Sequence, residues 1–306
     1  MKKPKLKIDG WLALDKPYGM TSTQAVGKVR WLFNAEKAGH GGTLDPLATG
    51  LLPIALGEAT KTVQWAMDGR KTYRFTAAWG AETNTDDLEG QITQRSDKRP
   101  TKAEIEAVLP RFIGTILQAP PAFSAIKIDG ERAYDLARAG EVVEIKEREV
   151  HVEALKLLEG AEDKADFEIN CGKGTYIRSL ARDMGRALGC FAHVSALRRT
   201  QVGALNEAQM ISLEKLEEMG IGGTSEALKG ALLPLETVLD GIPALAVLDN
   251  DAAKLRQGQK VLLRGASAPI SEAAVLVRLT SNLGTELVGI GEVSQGSLKI
   301  KRLFNL

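Results

Sequence analysis

Apolar positions along this chain fall into short runs suited to strands and a few longer stripes suited to helices. Leu12-Ala13-Leu14 predicts a short strand, closed by the turn Asp15-Lys16-Pro17-Tyr18-Gly19. Thr21 or Ser22 can cap the helix that follows, whose apolar face takes Val26, Val29 and Leu32. Ala38 to Gly50 is rich in glycine and reads as a loop. Tyr73 to Trp79 is aromatic and β-branched and predicts a strand, and Glu82 to Gly90 reads as an acidic loop. Thr101 with Glu104 three residues on has the spacing of a capping box. Phe167 to Cys171 alternates like a strand. Ile177, Leu180, Ala181, Met184 and Leu188 then share one face of an amphipathic helix.

Two stretches break this pattern. From Ala119 to about Val150 the chain opens on Pro120-Pro121 and carries Lys127, Glu131, Arg132, Arg138, Lys146 and Arg148 with few apolar anchors, which predicts an excursion from the core. Near Gly241-Ile242-Pro243 a boundary is expected. Beyond it come a short helix around Asp251 to Leu255, a turn at Gln257-Gly258-Gln259, and strand-like segments at Ala274–Leu279 and Glu286–Ile290. This tail reads as a small, mostly β module, marginal in size for folding alone.

Composition narrows the class. The chain has 306 residues, 44% hydrophobic, so a sizeable core can form and global disorder is excluded. No apolar run approaches the ~20 residues of a membrane span, and no apolar h-region follows the basic N-terminus. Two cysteines, Cys171 and Cys190, cannot staple a protein of this size, which points to a reducing cytoplasm. The net charge of +1 conceals blocks: +4 over residues 1–50, +5 over 171–200 and −5 over 201–240. Such blocks can build a basic face for a polyanion, or be solvated surface.

The search for chemistry first excludes. Among His40, His151 and His193, only His193 lies near a cysteine, Cys190, and no second pair completes a zinc set. Gly57 to Thr62 lacks the glycine that a phosphate loop needs before its lysine. Two stretches then stand out. In His40 to Pro53, glycines at 41, 42 and 50 permit close backbone approach, and Pro46 pushes Asp45 toward an extended conformation. An Asx turn is the ordinary role for such an aspartate. In Cys171 to Arg178, a glycine-rich turn enters a helix N-terminus, where the dipole disfavours the cation of Arg178 unless a carboxylate offsets it. Arg178, Arg182 and Arg186 stand four apart, ordinarily a solvated face.

Taken together and in order, these stretches resemble the bacterial tRNA pseudouridine synthase B (TruB-type) family. Gly10 to Ser22 is similar to its first motif and Gly39 to Pro53 to its catalytic motif. Lys71 to Arg74 resembles the strand with its active-site tyrosine, Lys173 to Arg178 its arginine motif, and Leu197-Arg198-Arg199 a following strand signature. The resemblance covers residues 9–240 and extends more weakly to the tail. It implies a mixed α/β (α+β) fold with a central, mainly antiparallel sheet over residues 1–240, a thumb insertion at about 121–149, and a β-rich PUA-like RNA-binding domain at 245–306. It further implies conversion of uridine 55 in the TΨC loop of tRNA to pseudouridine, with no cofactor and no metal. A monomer working on the tRNA T-arm in the cytoplasm, with no membrane and no obligate protein partner, is expected. Residue by residue, Asp45 falls on the catalytic aspartate, Tyr73 on the tyrosine that stacks on the uracil, and Arg178 on the arginine paired with the aspartate. His40 matches the histidine that holds the loop with its base flipped out. Tyr176 and Leu197 match pocket-lining positions, and Lys16 and Gly42 fall with them on the substrate side. Phe123 departs from the tyrosine of some relatives.

The leucines around Asp45 are expected to desolvate it and raise its pKa above the ~3.9 of a free side chain, with Arg178 countering them. Whether the aspartate attacks as a nucleophile or assists a glycal-type elimination stays open. Two other readings are carried: a non-catalytic RNA-binding protein or tRNA-folding chaperone, and a guide-RNA-dependent relative. The thumb stretch and short tail favour the stand-alone type over the latter.

Overall fold

The computed structural model describes residues 4–123, 127–128, 131–132, 146–221, 225–263, 275–281 and 286–306. The elements run β1 (Gly10–Lys16), α1 (Ser22–Leu32), β2 (Ala38–His40), β3 (Ala48–Leu56), α2 (Val63–Asp68), β4 (Lys71–Trp79), β5 (Ala81–Thr83), β6 (Ile92–Arg95), α3 (Lys102–Val108) and β7 (Gly114–Gln118). After the two-residue pair β8 (Lys127–Ile128) and β9 (Glu131–Arg132) come β10 (Arg148–Ala161), β11 (Lys164–Cys171), α4 (Ile177–Leu188), β12 (Ala192–Val202), β13 (Leu205–Asn206) and β14 (Ile211–Ser212). Most of the expected thumb, 121–149, lies outside the described residues.

One large sheet carries the first part of the chain, in the order β14-β1-β3-β12-β4-β11-β10-β7, with β2 and β13 added beside β3 and β12. Only β14–β1 and β12–β3 pair in parallel, so the sheet is mainly antiparallel. The alternation of β4 and β11 explains one core. Phe75, Ala77 and Trp79 project to the same face as Phe167 and Ile169, and that face is covered by the apolar stripe of α4. Phe75 stacks on Phe167 at 5.1 Å between centroids, with Trp79 edge-on at 6.3 Å. Gly185 lets α4 lie against β12: a Cβ there would sit 2.4 Å from the Ala192 nitrogen. A second core packs α1 against Leu12, Leu14, Leu52 and Ile54. Thr21 caps α1 and Thr101 caps α3, each in a full capping box.

The tail forms a second sheet of five strands, ordered from 244–246 through 275–280, 287–294 and 297–303 to 261–262. It is not a free appendage. Leu287, Ile290 and Phe304 pack with Trp11, Ala55 and Ala66, bridged by Leu235, Leu239 and Ile242. Lys61 Nζ donates to the Leu303 carbonyl at 2.8 Å, and the Asn305 N–H to Glu58 Oε2 at 2.8 Å. Among the described residues no helix is long and apolar enough to cross a membrane.

Candidate active site

The glycine-rich stretch is more ordered than a loop. Ala38–His40 pairs with β3, and only residues 41–47 cross between strands. Four tethers hold that crossing. Ser22 Oγ, at the start of α1, accepts from the Leu44 N–H and donates to its carbonyl, both at 2.9 Å. Lys16 Nζ donates to the carbonyls of Pro17, Met20 and Pro46 at 2.9, 2.7 and 3.2 Å. The Gly19 N–H reaches Pro46 O at 2.9 Å. Arg199 donates to Gly42 O at 3.0 Å, Thr43 O at 3.3 Å and Leu51 O at 2.7 Å. Asp45 thus sits between two neighbours, Leu44 and Pro46, whose backbones are both tied down.

The Asp45 carboxylate faces Arg178, with Oδ2 3.0 Å from Nε. The contact is ionic rather than a hydrogen bond, since Nε finds no aligned acceptor among the described residues. The arginine side chain is 7% exposed and the aspartate 37%, so the cation is sealed while the carboxylate stays reachable. Arg178 also lies 3.5 Å from Asp87 Oδ2 and donates to the carbonyls of Thr85 at 2.9 Å and Phe123 at 3.1 Å. These oxygens offset the unfavourable dipole at the first turn of α4.

The expectation of a solvated arginine row fails for two of its three members, while Arg186 stays exposed. Arg178 and Arg182 are buried, because the acidic segment 82–87 folds onto them. Arg182 pairs with Asp86 and Asp183, each at 2.9 Å, and Arg186 forks onto Glu82 at 2.6 and 2.7 Å. Burial, opposed by Arg182 and Arg178, pushes the Asp86 carboxyl up to about 7.

The leucine shell around Asp45 is also corrected. Leu44 and Leu52 are committed to the core under α1, and Leu51 to a separate cluster on Val202 and Leu205. Of these four leucines only Leu47 lines the crevice at the carboxylate, with Ala48, Asp87, Arg178 and residues 194–197. A wider hollow beside it shares Leu47 and Ser195–Leu197 and reaches exposed Tyr18 on the open face of the sheet.

The other expected residues are placed differently from one another. Tyr73 and Leu197 border both cores, with Leu197 on the crevice wall. Burial pushes the Tyr73 phenol up, opposed by Arg199. His40 is half-buried, its Nδ1 without a partner among the described residues, and burial lowers its protonation. Lys16 is fully buried beneath the turn, so it tethers backbone rather than presenting a surface to substrate; burial lowers it to about 8. Gly42, at φ +119, gives its carbonyl to Arg199. Tyr176 stands apart from the crevice: its backbone is clasped by Gln118 at 2.8 and 3.1 Å and its ring lies 5.2 Å from the Arg148 guanidinium. Sequence reasoning missed Asp86, Asp87, Ser22 and Arg199. The first two were visible only as an acidic loop, and Arg199 only as part of a strand signature.

The arrangement offers a fixed, reachable carboxylate beside a buried guanidinium, at a narrow crevice lined by both charged and apolar side chains. The described family of TruB pseudouridylate synthases (N-terminal domain) matches residues 30–177, and two further models match the rest: the tRNA pseudouridylate synthase B C-terminal domain at 178–240 and the pseudouridine synthase II TruB C-terminal domain at 243–304. The chain is 55% identical over 309 residues to tRNA pseudouridine synthase B of Bradyrhizobium diazoefficiens, covering 100% of this chain and 88% of the relative. It is 53% identical over 311 residues to the protein of that name from Chelativorans sp., covering 100% and 98%. Among solved structures, it resembles a chain of a Cbf5-Nop10-Gar1 complex with a TM-score of 0.76 and 28% identity, covering 97% of this chain and 85% of that one.

Proposed function

The chain belongs to the TruB family of pseudouridine synthases and is an isomerase, and from that premise we propose that it converts uridine 55 in the TΨC loop of tRNA to pseudouridine through Asp45. The observation that carries this reading is the reachable Asp45 carboxylate locked against a sealed Arg178 at 3.0 Å. Binding RNA gives no reason to expose a carboxylate amid phosphates, so the geometry favours chemistry over a purely RNA-binding or chaperone role.

The reaction breaks the bond from C1′ to N1, turns the uracil and joins C1′ to C5, with the C5 proton lost and N1 gaining one. A base inside a folded loop must first be extruded, at a cost of a few kcal/mol. Stacking on an aromatic ring returns ~1–3 kcal/mol, the role assigned to Tyr73. Asp45 then acts at the sugar or the ring, as nucleophile or as partner in a glycal-type elimination. Arg178 orients the carboxylate. His40 helps hold the loop with its base flipped out, and Leu197, on the crevice wall, lines the pocket for it. The single chain does this without cofactor or protein partner, and the basic residues of the tail, such as Lys299 and Arg302, grip phosphates. Incubating the purified chain with an unmodified T-arm hairpin and mapping pseudouridine tests the reading. Product at the position of uridine 55 supports it. No product from a chain that binds the hairpin would leave the chaperone reading, and product only with a guide RNA would leave the guided one.

A further inference from the structure

We propose that Arg199 is a positioning residue for this reaction, its guanidinium fork fixing the backbone of the Asp45 loop from beneath and tying that loop to the strand of Tyr73. The proposal rests on the reading of Asp45 as the reacting carboxylate.

Arg199 is 1% exposed, among the largest fully buried side chains of the protein. Among the described residues no carboxylate lies within 4.0 Å of it. Burying a guanidinium without a counter-ion is costly, and an apolar side chain of similar length would fill the same volume at lower cost. A group kept in spite of that cost is kept for what its fork does. Here Nε, Nη1 and Nη2 each donate to a different carbonyl: Leu51, Thr43 and Gly42. Two of those carbonyls open the segment that carries Asp45, and the third lies in β3, which that segment feeds. Rotating the loop against β3 breaks the bonds to Gly42 and Thr43 together while the bond to Leu51 holds the fork in place, because the donors are set in one rigid plane.

The approach is built into the backbone. Gly50, at φ +94, lets β3 close onto β12, where a Cβ would lie 2.3 Å from the Arg199 carbonyl. Gly42, at φ +119, turns its carbonyl under the loop. Within the sheet, Arg199 stands opposite Tyr73 in register, and its charge opposes the effect of burial on the Tyr73 hydroxyl. The charge of Arg199 opposes protonation of Lys16, His40 and Lys71 around it, and Cys171 and Asp45 act on the Tyr73 hydroxyl in the opposite sense. Arg199 is thus the group where the catalytic loop, β3 and the tyrosine strand meet.

The test separates positioning from binding. Arg199→Lys and Arg199→Ala are measured for hairpin affinity, melting temperature and single-turnover rate at saturating hairpin. Lysine keeps the charge but not the fork, so the rate should fall by about 10–100-fold, in line with the cost of small misplacements, while affinity stays within about threefold. Methylguanidinium should restore part of the rate of Arg199→Ala, and methylammonium at equal concentration should not. If an arginine variant fails to fold, Gly42→Ala, which strains the acceptor and leaves Arg199 in place, should reproduce the split between rate and affinity. A rate for Arg199→Lys within twofold of wild type overturns the proposal, as does a loss confined to affinity, equal rescue by both cations, or a normal rate for Gly42→Ala. A wild type that forms no product overturns the reading of Asp45 as well, so the two failures are distinct.

Discussion

At the scale of single residues, the site rests on one charged contact, and its geometry makes demands that a change of residue exposes. Arg178 meets Asp45 through Nε, Asp87 and Thr85 through Nη1, and Phe123 through Nη2. Lysine has one nitrogen for four oxygens. Arg178→Lys should therefore lose at least 100-fold in single-turnover rate, a barrier increase of about 2.7 kcal/mol or more. Near-normal turnover would mean that the pair does not act in the reaction. Lys16 gives a prediction in pH. Its folded pKa is lowered from 10.5 to about 8, so between those values the unfolded chain binds more protons and stability rises with pH. Lys16→Met lacks this titration, while Lys71 shifts alike in both proteins. Denaturant melts at pH 8 and pH 10 should show the wild type gaining on the variant, whereas a constant difference would count against the lowered pKa of the buried lysine. Asp45, Tyr73 and Arg178 were legible as residue types in motifs. That Lys16 points inward was not, because a lysine in a turn is ordinarily solvated and only three converging carbonyls retain it.

Elements were more legible than their partners. The stripe on α4 and the alternation of Tyr73–Trp79 and Phe167–Cys171 state their own periods, and those elements form where the pattern puts them. Ala38 to Gly50 did not, since the three-residue β2, Ala38–His40, and the opening Ala48-Thr49-Gly50 of β3 carry little β signal. The arginine row was misplaced because charge pattern along a helix does not reveal an acidic segment, 82–87, arriving from a distant part of the chain. Position of the whole helix is what aligns that row, and Gly185 sets it. Gly185→Ala must push α4 away from β12, where the obstruction is backbone at Ala192. Overpacking of this kind costs about 1–3 kcal/mol, and the shift carries Arg178 with it. A lowered melting temperature together with a lowered rate is expected. A stable variant with normal rate would show that α4 is free to slide.

The molecule as a whole is more integrated than its sequence suggests. Gly241 to Pro243 reads as a boundary, and a second sheet does follow it. The apolar residues that dock the tail, Leu287, Ile290 and Phe304, are indistinguishable in sequence from residues of its own core. Their partner surface includes Trp11, a residue of the first strand. Phe304→Ala should therefore destabilise the entire protein, by about 3–5 kcal/mol for a buried phenylalanine, in a single cooperative transition. An early separate transition of the tail would instead indicate an independent module.

All of these levels serve one carboxylate, and its replacement by an isosteric amide is the most direct measurement. Asp45→Asn keeps shape and loop tethers, and loses the ionised oxygen. With an unmodified T-arm hairpin at saturation, the variant should bind within a few-fold of wild type and form no detectable pseudouridine in single-turnover assay. Retention of more than about a tenth of the wild-type rate, a barrier change of only ~1.4 kcal/mol, would contradict the assignment of Asp45 as the reacting group.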